Sequence, residues 1–160
     1  MGEDNALGAI DEISRLRGYA VILPSVAQEL GDQARNQQDE ALRGIAQKAL
    51  SQLTNWGIHD PPLETKQHAV ADIVAKKLVQ KGFCHNYQSA LILAEAAVYG
   101  CRLLLTYDHN LCQINMASLR LFLLEADVCD TFVLPPHWFV HFFQQKNSAA
   151  SESASPPAVP

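Results

Sequence analysis

The alternation of apolar and polar positions is clearest between Asn86 and Leu111. Ala90, Leu91, Leu93, Ala94, Ala97 and Val98 recur at three- and four-residue steps, which gives a helix one buried face. Gly100 stops that helix. Cys101 to Leu105 follows with Arg102 as its only polar residue, the pattern of a short strand buried in a parallel sheet. Thr106 and Asp108 then fall where the strand gives out. Open α/β sheets hold ligands beyond the carboxyl ends of their strands, so Asp108 is a candidate site residue. An Asp after a strand is equally suited to capping or turning the chain.

The same pattern organises the rest of the chain. Leu7, Ile10, Ile13 and Leu16 predict an amphipathic helix over residues 5–17, with Gly18 beyond it. Tyr19 to Leu23 predicts a short buried strand. Ser25 and Gln28 form a capping-box signature for a helix starting at Val26, with Glu29 near its first turn. A helical region follows from about Gln33 to Leu53, broken by Asn55, Gly57 and the Asp60-Pro61-Pro62 cluster. Glu64 to Gln80 predicts another helix, closed by Gly82, whose Lys76 and Lys77, with Lys81, form a basic edge complementing the helix dipole. Met116 to Ala126 is a further helix, Thr131 to Leu134 a strand, and Pro136 starts a last short helix. His137 and His141 have a spacing that suits one metal, but their neighbours are aromatic and no acid accompanies them, which favours a core face. From Lys146 onward Ser, Ala and Pro dominate, predicting a disordered tail over 146–160. Strands alternating with helices predict a parallel sheet flanked by helices.

Composition narrows the class. The chain has 160 residues, of which 48% are apolar and 18% charged, as expected of one soluble globular domain with a sizeable core. No apolar run approaches the roughly 20 residues of a membrane span, and the N-terminus has no secretory pattern. Four dispersed cysteines without a CxxC pair suit reduced thiols in the cytoplasm. A formal charge of −5 argues against non-specific nucleic-acid binding by a basic surface, yet suits a carboxylate-based metal site.

Four segments resemble the PIN domain family of metal-dependent nucleases, which includes toxins of bacterial toxin-antitoxin pairs. VILPSVAQEL at 21–30 is similar to the family's second strand and the helix carrying its second acid, which maps onto Glu29. SALILAEAAVYGC at 89–101 resembles the segment that in the family opens with an Asp. LLLTYD at 103–108 matches the strand ending in Thr-x-Asp, so Asp108 takes the fourth acid position. DTFVLPPHWFVHFF resembles the closing strand, proline turn and helix. The resemblance implies a PIN-like domain over residues 1–145 with a three-layer α/β/α fold around a central parallel sheet. It also implies RNA phosphodiester cleavage with Mg²⁺ or Mn²⁺, Glu29 and Asp108 as catalytic and metal residues, RNA as substrate and an antitoxin protein as partner.

The chain departs from the family pattern twice. The strand bearing the first acid is missing, since Asp4 and Asn5 echo its ending but no strand precedes them. The third acid is Ser89, a poorer ligand for a hard cation than a carboxylate. If Asn86 caps its helix, Ser89 lies in the first turn, facing the crevice. Glu95 is a candidate third acid supporting the site together with Ser89 and Thr106, but it lies six residues further, about 240° round the helix, which favours pairing with a basic neighbour. Thr106 is placed to orient a water, and His85 and His109 are expected in exposed loops. Loss of the first strand would expose sheet edges and favours homodimerisation or poor solubility. Two readings follow: a weak or incomplete ribonuclease, or a catalytically inactive PIN-like module binding RNA or protein. A nucleotide-binding α/β domain is disfavoured, because no Gly-rich phosphate loop is present.

Overall fold

The computed structural model describes residues 2–143 except 37, 60 and 61, with side chains from residue 7 onward. Its elements are α1 (Gly2–Arg15), α2 (Pro24–Asn36), α3 (Glu40–Asn55), α4 (Thr65–Gln80), α5 (Tyr87–Val98), β1 (Leu103–Leu105), α6 (His109–Cys112), α7 (Met116–Glu125) and β2 (Phe132–Leu134). A last helix, α8, begins at residue 136 and is described to 143. The predicted tail from 146 lies outside the described residues. The described chain is mostly helical with a two-stranded parallel sheet, an α/β arrangement. No described helix is long and apolar enough to cross a membrane.

At the centre lies α5, buried on nearly every side, which explains why its sequence is apolar well beyond one stripe. Asn86 caps it by accepting the Ser89 N–H at 2.7 Å. At its other end Gly100, at φ +77°, completes a Schellman motif: Gly100 N–H reaches Ala97 O, and Cys101 N–H reaches Ala96 O. That turn delivers the chain directly into β1. Small residues bring α4 against α5, with Ala71 and Ala75 on one helix and Ala90, Ala94 and Ala97 on the other, all buried. Leu78, Leu93, Leu111, Leu119 and Leu123 fill the remaining core space.

β1 pairs with β2 in parallel register, Leu103 with Phe132 and Leu105 with Leu134. The predicted strand over 19–23 is reduced to a single parallel bridge, Val21 to His59, and Tyr19 is 89% exposed. Leu23 is the buried residue of that segment. A strand needs a neighbour to hold its backbone, and among the described residues only His59 supplies one there.

Helix limits and caps differ from expectation in several places, beginning with α1, which spans Gly2–Arg15 rather than residues 5–17. α2 starts at Pro24, whose missing N–H costs nothing at the first helical position, and Ser25 therefore sits inside the helix rather than capping it. The region 33–53 is two helices, because Asp39 accepts the N–H groups of Ala41 and Leu42 and so opens α3 as a separate element. α4 carries the capping box that was expected of α2, between Glu64 and Gln67. In α8 only Phe139 is buried among the aromatics, while Trp138 and Phe142 are exposed.

Candidate functional site

The Thr106–Asp108 turn at the end of β1 and the first turn of α5 meet in one side-chain bond. Ser89 Oγ donates to Asp108 Oδ2 at 2.5 Å, a short charge-assisted hydrogen bond between a 5% exposed hydroxyl and a half-buried carboxylate. Asp108 Oδ1 accepts the N–H groups of Asn110 at 2.9 Å and Leu111 at 3.4 Å, capping α6. The Asp108 N–H donates to Thr106 Oγ1 at 3.0 Å. Thr106 thus fixes the backbone of the acid. Both roles weighed for Asp108 are met in one side chain: it caps a helix and it lies at the strand's carboxyl end against Ser89.

The charge of Asp108 is felt nearby. Burial, and secondarily this carboxylate, push the Cys84 thiol up to about 11, and the same two causes raise Cys112. Both cysteines are therefore held as neutral thiols beside the site.

Glu29 stands on the exposed side of α2, accepting from Gln33 Nε2 at 3.2 Å. Among the described residues no hydrogen bond links it to Asp108 or Ser89. It lines a cavity of about 430 Å³ with Ser25, Gln28, Asp32 and, from α5, Gln88 and Leu91. Gln88 adjoins Ser89 in sequence, so the first turn of α5 contributes to both places. Ser89, Thr106 and Asp108 are brought together, and Glu29 lines a separate cavity.

Glu95 has a different role from the one expected. It is 3% exposed and, among the described residues, pairs with no basic group; its Oε2 accepts from Ser25 Oγ at 2.6 Å and from Ser25 N–H at 3.1 Å. A carboxylate at the start of α2 satisfies an otherwise orphaned N–H and opposes the positive end of the helix dipole. Periodicity did not disclose this pair, because the partners lie 70 residues apart. The local hint was Pro24 before Ser25, which suits the first helical position and so frees the Ser25 hydroxyl from capping.

A hard divalent cation takes about six oxygen ligands, several of them carboxylate. Asp108 already receives three donors, Ser89 is neutral, and among the described residues no group of three or more His, Cys, Asp or Glu is placed to hold a metal. The described residues, taken alone, do not bring together the ligand set of a Mg²⁺ or Mn²⁺ site. His85 and His109 are exposed; His109 Nε2 lies 2.7 Å from Gln113 Nε2. His137 and His141 are exposed on α8, with His137 stacked against Tyr107.

Compared with family models, with curated proteins and with solved structures, the chain matches none.

Proposed function

We propose that this chain is a PIN-like domain laid out on the plan of a Mg²⁺- or Mn²⁺-dependent ribonuclease, with a carboxylate set too depleted for efficient cleavage. On this reading RNA is its ligand and the three-layer PIN plan is its ancestral fold. One observation supports the reading above the others: Asp108, at the carboxyl end of β1, is held by a hydroxyl at the position where the resemblance expects an acid. A hydroxyl donor takes up a carboxylate lone pair that a cation would need, whereas a second carboxylate would share the cation with it.

The test uses the full chain and fluorescent single-stranded RNA, with Mn²⁺ or Mg²⁺ at millimolar concentration. Anisotropy should report salt-dependent binding, as phosphate contacts require. Cleavage should be no faster for the wild type than for Glu29→Gln or Asp108→Asn. Absence of any RNA binding would remove the RNA part of the proposal.

A second reading, an active ribonuclease, is favoured by the cavity in which the acids Glu29 and Asp32 meet Gln88, the sequence neighbour of Ser89. Metal-dependent cleavage that both variants abolish would establish this reading in place of the first.

A further inference from the structure

A large cavity lies on the other side of β1, away from β2. It has a volume of about 810 Å³ and is walled by β1 on one side and residues 19–23 on the other, with Ile13, Trp56 and Ala96 among its lining. Its walls are backbone edges. Phe132 N–H bonds Arg102 O and Thr106 N–H bonds Leu134 O, so residues 102, 104 and 106 face β2. Alternate residues of a strand direct their N–H and C=O to opposite edges, which turns Leu103 and Leu105 toward the cavity.

The opposite wall follows the same rule. Ile22 N–H bonds His59 O, so Val21, which lines the cavity, directs its own N–H and C=O away from His59. Among the described residues, Val21 makes no backbone hydrogen bond to offset this. Two open edges thus border one apolar space. Its only charged lining residues are Arg17 and Arg102, and neither is in an ion pair with a described residue.

We propose that this groove is a strand-accepting site. It takes one extended apolar segment of a partner polypeptide, added in parallel between β1 and residues 19–23, with an acidic residue at its amino end beside Arg102. The backbone edges select the form of the occupant, because an apolar small molecule would fill the volume but leave the amides of Val21, Leu103 and Leu105 without acceptors. Parallel addition matches the pairing already made by β1 with β2 and by Val21 with His59. It sets the amino end of the segment at the start of β1, where Arg102 stands. The two guanidiniums and the absence of a lining carboxylate select an acid there. A second copy of the chain fits less well: two β1 edges related by a twofold axis meet antiparallel, and neither would enter between the two walls of the other.

The probe is a blocked peptide with one glutamate, then alternating valine and isoleucine, then a short serine tail. A matched peptide carries lysine in place of glutamate. Binding to the full chain is read by the fluorescence of Trp56, with Trp56→Phe as the control, and by amide hydrogen exchange. Saturating glutamate peptide should slow exchange at Val21, Leu103 and Leu105. Arg102→Glu should weaken the glutamate peptide by about tenfold and strengthen the lysine peptide. Ala20→Phe, which narrows the groove, should abolish binding while circular dichroism shows the fold retained. Failure of the glutamate peptide to bind would overturn the proposal, as would binding without protection of those three amides. Protection that rises with protein concentration in the absence of peptide would assign the groove to a second copy instead.

Discussion

Ser89 and Asp108, 19 residues apart in sequence, are joined by a 2.5 Å hydrogen bond that ties the first turn of α5 to the end of β1. The bond pairs a neutral, buried hydroxyl with a half-buried carboxylate. It contributes as hydrogen bonds to charged groups do, and it commits the Oδ2 oxygen that points across the crevice.

Ser89→Ala should cost about 1–2 kcal/mol, by loss of a donor to a half-buried carboxylate. Ser89→Asp should cost more in the presence of chelator, because two carboxylates would then face each other, and should regain stability when Mn²⁺ is added. Thermal melts of the two variants with chelator and with Mn²⁺ check this. A melt of Ser89→Asp that is indifferent to Mn²⁺ would show that Asp108 and one added acid do not hold the cation.

Glu95→Ala should destabilise by about 2–4 kcal/mol, since it orphans the Ser25 N–H and leaves a cavity beside the core. Glu95→Gln keeps an acceptor for Ser25 and should cost less than about 1 kcal/mol. Urea unfolding of both variants, with Ser25→Ala and the double mutants, measures the coupling. Additive costs for positions 25 and 95 would contradict the bond as described.

Gly100→Ala should cost about 1 kcal/mol, although a Cβ there meets nothing within 4 Å, because the strain lies in φ alone. Asn at the same position should cost less, as it tolerates left-handed backbone. Equal melting temperatures for the alanine variant and the wild type would refute the assigned strain.

The Tyr87 hydroxyl donates to Asp72 Oδ1 at 2.6 Å, and Lys76 Nζ reaches Asp72 Oδ2 at 2.6 Å. The hydrogen bond to Asp72 is the main cause that raises Tyr87 to about 12; those from Lys76 and then Tyr87 lower Asp72. For Tyr87, folded above unfolded, the stabilisation is complete below the ordinary tyrosine value near 10 and is lost as pH rises through about 12. For Asp72, folded below unfolded, it is present above 3.8 and is lost as pH falls through the depressed value. The group is solvent-exposed, so its effect on stability is small. A phenolate absorbance titration of the wild type minus that of Tyr87→Phe should show a component centred near about 12. A component near 10 would remove the assigned bond.

Helix periods were legible along most of the chain because each helix has an apolar face set by its own residues, as in α1, α4 and α7. The Asn86 cap, the Gly100 stop and the position of Asp108 after β1 were equally local, and all three stand in the structure. Boundaries failed where two local signals competed: Ser25 suits a cap, but Pro24 before it suits the first helical position, and the Ser25 side chain was wanted elsewhere. Asp39 was overlooked as a cap because the residues around it are polar without a period.

By itself the sequence determined most of the helical segments, where α5 begins and ends, and that an acid follows the strand after α5, since these depend on residues within a turn or two. The tertiary structure alone decided what those residues touch. It set Ser89 on Asp108, turned Glu95 to the head of α2 instead of a basic partner, placed Glu29 in a separate cavity, and left Val21 and β1 as facing open edges. Such relationships join positions tens of residues apart, and no local propensity or period carries information across that distance.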